Sequence, residues 1–163
     1  MGTVTAFRPR REPDAVNFGD LPPAIDALLQ EGVRAYRTDP VEADRFFREA
    51  RAAAPAELAT YFCLYKIHTY GGNLEAAEET AQSGLQEAAR QAGWPRDWRQ
   101  WQAPCALDGP GRFALYTLKA LAFISLRQAD RARAREILDA LEKFDPTGAV
   151  GWSVVAAIAD GSA

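Results

Sequence analysis

From Asp20 onward the apolar positions recur at the three- and four-residue spacing of a helix face, and the two-residue alternation of a strand is nearly absent. The pattern predicts an all-α chain. Its punctuation divides that chain into helices. Leu21-Pro22-Pro23 opens one, Asp39-Pro40 with Glu42 three residues after Asp39 opens a second, and Pro55 precedes a third. Gly71-Gly72 closes the third, because glycine accepts the left-handed conformation of a helix end, and Asn73 caps the next. Asp130 caps another, and Asp145-Pro146-Thr147-Gly148 separates the last pair. Connections this short force antiparallel helix pairs. Residues 1–20, with Arg8, Arg10 and Arg11 and little periodicity, read as a flexible arm for which Phe7 and Phe18 offer attachment.

A longer period overlies the helical one. Ala43, Phe47, Ala50 and Pro55 are followed by Ala77, Ala81 and Gly84 at the same offsets, and Ala134, Leu138, Leu141 and Pro146 repeat the full spacing after LRQAD. On these residues the chain resembles the tetratricopeptide repeat family, whose unit is about 34 residues, over roughly residues 22 to 160. The resemblance implies a right-handed superhelix of three antiparallel helix pairs, at about 22–54, 56–92 and 111–144 of a domain spanning 21–163. Trp152 takes the place of a first-helix aromatic, so GAVGWSVVAAIADG reads as a capping helix over about 148–160. In unit two, Tyr65 stands where the family has a small residue.

Between the second and third units the register slips by 23 residues. The insertion, about 93–110, holds three of the four tryptophans. Pro95 is placed to start a short helix on which Trp94, Trp98 and Trp101 share one face. They either plug the gap between units two and three by burying apolar area or, with Arg96 and Arg99 between them, anchor a partner.

Composition narrows the function. The chain has 163 residues, 48% hydrophobic and 25% charged, enough for one domain with its own core. A net charge of -3 and a pI near 5.3 give no electrostatic reason to approach nucleic acid or an anionic membrane. No apolar run suits a signal peptide or a membrane span, and two cysteines make no disulfide framework, so the cytoplasm is the expected compartment. The sequence predicts no metal site, because Cys63 and His68 fall on different helix faces and Cys105 stands apart. No nucleophile has a base and an orienting group beside it, and Leu107-Asp108-Gly109-Pro110-Gly111 is a turn without the lysine of a phosphate loop. No catalytic residue and no cofactor are expected. Glu75, Glu78 and Glu79 at a helix start complement its dipole.

His68, the only histidine, takes the position where the family usually has a tyrosine packed on the second helix of its own pair, which implies a structural, hydrogen-bonded role. The family resemblance further implies a concave groove lined by first helices. Projected onto this sequence, the lining is Tyr36, then Phe62, Lys66, Thr69 and Tyr70, then Tyr116, Lys119, Phe123 and Arg127. Two of the three lysines fall there, which predicts a locally positive, aromatic groove for an extended or helical acidic segment of a partner protein. The groove asparagines with which family members clamp a C-terminal carboxylate are lacking. FCLYKIHTYGGNLEAAEE, EAARQAGWPRDW and the stretch from ALYTLKALAF to GWSVV also look like the small tetratricopeptide proteins that accompany nitrogen-fixation genes. That likeness implies a non-enzymatic adaptor or chaperone-like accessory of the nitrogenase molybdenum-iron component or its cofactor-assembly proteins. Alternatives are a repeat protein that self-associates as a homodimer and an adaptor for an unrelated bacterial complex.

Overall fold

The computed structural model describes residues 15–161, which form seven α-helices and no strand. They are α1 (Pro23–Tyr36), α2 (Pro40–Ala53), α3 (Leu58–Tyr70), α4 (Leu74–Ala92), α5 (Gly109–Arg127), α6 (Arg131–Phe144) and α7 (Trp152–Ala159), with one 3-10 turn at Trp98–Gln100. Three of the helices begin at the punctuation read from the sequence at Asp39, Asn73 and Asp130. Local chemistry sets these starts. The side chains of Asp39, Asn73 and Asp130 accept from the backbone N–H of Glu42, Ala76 and Arg133. Of the glycine pair, Gly72 alone takes the left-handed conformation, at φ +80°.

Each helix packs on the next, and α3 also touches α5, as α5 does α7. α3, α5 and α7 thus form one layer, against which α4 and α6 pack. Small residues permit this. The buried face of α4 is Ala77, Thr80, Ala81, Gly84, Leu85, Ala88 and Ala89, so α3 and α5 both approach its backbone closely. Tyr65, which departs from the small residue expected there, fills the space between α3 and α5 and shares a hydrogen bond of 3.3 Å with Thr117. The buried residues fall into two clusters. One joins α1, α2 and α3, the other runs from α3 to α7, and Phe62 packs against both.

The described end of the arm is held in place. Residues 1–14, including Phe7, lie outside the described residues. Val16 is gripped at both backbone groups by the Gln30 side chain, at 3.2 and 2.7 Å, and Phe18 packs on the first cluster.

The insertion departs from expectation. Gly93 ends α4 at φ +71°, and Pro95 starts no helix: bends follow at Arg96 and Asp97, and a single 3-10 turn begins at Trp98. The tryptophans therefore do not share one helical face. Trp94 and Trp101 pack ring on ring, with centroids 5.0 Å apart, while Trp98 lies beneath the Arg99 guanidinium.

A close approach yields the first prediction. A Cβ on Gly32 would stand 2.2 Å from the buried Phe47 ring. Overpacking outweighs the helix propensity gained, so Gly32→Ala should destabilise by about 1–2 kcal/mol in urea denaturation.

Candidate binding groove

The odd-numbered helices carry two adjoining compartments that share Phe62, Lys66 and Tyr70. The first, about 230 Å³, lies between α1 and α3 and is bounded by Val16, Phe18, Val33, Tyr36, Phe47, Cys63 and Ile67. The second, about 260 Å³, is walled by α3, α5 and α7, through Tyr65, Thr69, Tyr116, Lys119, Ala120, Phe123, Val154, Val155 and Ile158. The structure thereby brings Tyr36, Phe62, Lys66, Thr69, Tyr70, Tyr116, Lys119 and Phe123 to one continuous surface. Arg127 lies outside both compartments, 6.0 Å from the Phe123 ring.

The side chains are not equally free. Thr69 is buried and gives its hydroxyl to the Tyr65 carbonyl at 2.6 Å, so it offers a partner no hydrogen bond from that proton. Lys119 donates to the Val150 carbonyl at 2.7 Å and lies 3.9 Å from the Tyr116 ring, a staple between α5 and the approach to α7. Burial lowers its pKa. Lys66 is exposed, 5.2 Å from the Phe62 ring. Among the described residues neither lysine has a carboxylate within ion-pairing distance, and no acidic residue lines either compartment.

The α7 wall was absent from the projected lining. Its signal was the pair Val154 and Ile158, four apart on a helix that turns only Val155 fully inward. What holds α7 is a buried carboxylate. Asp145 accepts from the N–H groups of Ala149 and Val150, at 3.0 and 2.9 Å, and its own carbonyl accepts from the Trp152 indole at 2.8 Å.

The tryptophan insertion lies against α4 and α6. Trp101 is buried against Phe144 and donates to the Pro95 carbonyl, Arg99 pairs with Glu136 of α6 at 2.7 Å, and Arg96 reaches Gln86 of α4. Trp94, Trp98 and Trp101 line neither groove compartment. Glu78 also does more than complement a dipole, since it accepts from Gln128 at 2.9 Å and pairs with Arg133, joining α4 to α5's end and to α6.

His68 packs on the preceding pair, not on its own. Its Nε2 stands 3.1 Å from Asp44 Oδ1 of α2, and neither atom has another partner. The contact follows from the packing of α3 on α2, which sets His68 against Asp44. Burial lowers the His68 pKa, Asp44 opposes that, and Arg48 and Arg51 reinforce it. Burial also pushes the Cys63 thiol up to about 12, so this groove cysteine is no nucleophile at neutral pH. Among the described residues no group of three His, Cys, Asp or Glu could hold a metal ion, and no helix is long and apolar enough to cross a membrane.

No protein-family model matches the chain, and neither a curated protein nor a solved structure matches it.

Two predictions follow from this geometry. The unfolded chain protonates His68 at its ordinary value of 6.5 and the folded chain only at lower pH. Stability contributed by the neutral ring should therefore fall as pH drops below that value. Urea denaturation from pH 7.5 to 5 should show a steeper loss in the native chain than in His68→Gln. Separately, Trp101→Ala should cost about 3–5 kcal/mol, the range for a buried aromatic, and Trp98→Ala clearly less, as read by chemical denaturation.

Proposed function

We propose that the chain is a tetratricopeptide-like binding module, a non-enzymatic adaptor or chaperone-like accessory whose groove takes an acidic, amphipathic segment of a partner protein. The observation that carries this reading is where the large apolar side chains are left exposed. Among the described residues there are seven, and six of them, Val16, Tyr36, Tyr70, Tyr116, Val154 and Ile158, line the two compartments. A concentrated apolar surface of this kind marks an interaction site. The two lysines without carboxylate partners give it a sign, opposite to that of the whole chain. The repeated spacing from Ala43 to Pro146 and the contact of α3 with α5 and of α5 with α7 support the repeat reading.

The partner candidate is the nitrogenase molybdenum-iron component or its cofactor-assembly machinery, on the likeness of FCLYKIHTYGGNLEAAEE and EAARQAGWPRDW to the proteins that accompany nitrogen-fixation genes. Affinity purification of the tagged chain from bacteria fixing nitrogen should recover one of those proteins, and an eluate lacking all of them overturns this assignment. Lys66→Glu should cut recovery of the partner about tenfold or more with an unchanged melting temperature. Lys119→Met, by contrast, should also cost about 1–2 kcal/mol, because the Val150 carbonyl loses its donor. A dimer by light scattering that Tyr70→Lys dissociates would instead favour burial of the groove by a second copy.

A further inference from the structure

We infer that the compartment between α1 and α3 is the anchoring subsite of the groove, taking one bulky apolar side chain of the partner with a carboxylate beside it, and that Val16 to Phe18 form a wall of this subsite. The inference rests on the groove being a protein-binding surface and deepens it. The compartment is lined by buried Phe47 and Cys63 among eight further residues, of which only Lys66 is charged, so an entering group meets a mainly apolar surface. Its lining holds one charge, Lys66, and no carboxylate. The Lys66 ammonium makes no hydrogen bond and no ion pair with any described residue, whereas Lys119 has already given one N–H to Val150. A mainly apolar surface beside an uncompensated cation selects an apolar side chain whose neighbour is acidic.

The wall is built, not incidental. Gln30 holds the N–H and the carbonyl of Val16 together, Asn17 accepts from the Gly19 N–H at 3.0 Å, and Phe18 is packed on the first core cluster. The backbone beside the compartment is therefore fixed before anything binds, which lowers the ordering cost of association. Because Phe62, Lys66 and Tyr70 belong to both compartments, an occupant anchored in the first continues into the second.

The test is selection of a phage-displayed random peptide library on the full-length chain, followed by fluorescence anisotropy of one enriched peptide. Enrichment should favour a bulky aliphatic or aromatic residue next to Asp or Glu. Lys66→Glu should shift the neighbour to Lys or Arg, and Val33→Trp, which fills the compartment, should weaken the enriched peptide about tenfold or more. Gln30→Ala, releasing Val16, should weaken it severalfold at unchanged melting temperature, and no change there overturns the wall. If Val33→Trp does not fold, the charge reversal at Lys66 decides alone. Peptides that depend on Val154 and Ile158 but are indifferent to Val33 and Lys66 overturn the anchor and leave the groove reading standing. No enriched peptide, or Lys66-dependent binding of dodecanoate only, overturns both.

Discussion

The structure depends on how little side chain α4 puts between its neighbours. With alanine or glycine at five of its seven buried positions, it lets α3 and α5 settle close to its backbone on either side, near enough for Tyr65 to meet Thr117. Larger residues there would drive the two helices apart and open the seam that Tyr65 closes. Gly84 marks the limit, since a Cβ at that position would stand 2.9 Å from the Cβ of Tyr61. The packing of one layer thus sets the continuity of the other, and the groove exists because its walls are adjacent helices.

Charge is divided along the same lines. Arginines and carboxylates pair along α2, α4 and α6 and across to the insertion, as in Arg45 with Glu42, Arg90 with Glu87 and Arg99 with Glu136. Such exposed pairs contribute little stability each. Their effect is to neutralise the outer layer locally. The groove keeps two unbalanced ammonium groups among aromatic rings, a combination favourable to an acidic partner and unfavourable to a basic one. Under the proposed reading, specificity and affinity would draw on different residues, the charge on Lys66 and the area on the rings around it.

What the sequence made legible is what depends on neighbours along the chain. Asp39, Asn73 and Asp130 cap because the N–H they accept is three residues away, and the recurring spacing that begins at Ala43, Ala77 and Ala134 is a property of each helix face. Most groove residues could be projected for the same reason, since one face of α3 and one of α5 carry them. What escaped depends on the angle and offset between helices. Nothing local says that His68 faces Asp44 of the preceding pair, that Lys119 reaches the Val150 carbonyl, or that α7 closes the groove with Val154 and Ile158. The insertion failed for a different reason. Tryptophans at three- and four-residue spacing suit a helix, but Gly93 ends the helix, the chain bends at Arg96 and Asp97, and Trp94 meets Trp101 through the turn between them.

Phe62 has a consequence of a mechanical kind. It is the side chain that packs against both hydrophobic clusters while lining both compartments. In a stack whose units touch only their neighbours, bending is concentrated where one core gives way to the next. Here that joint lies in the floor of the groove. Any displacement of α1 and α2 against the remaining helices would change the spacing of the two compartments, and an occupant spanning Phe62 would bridge the joint.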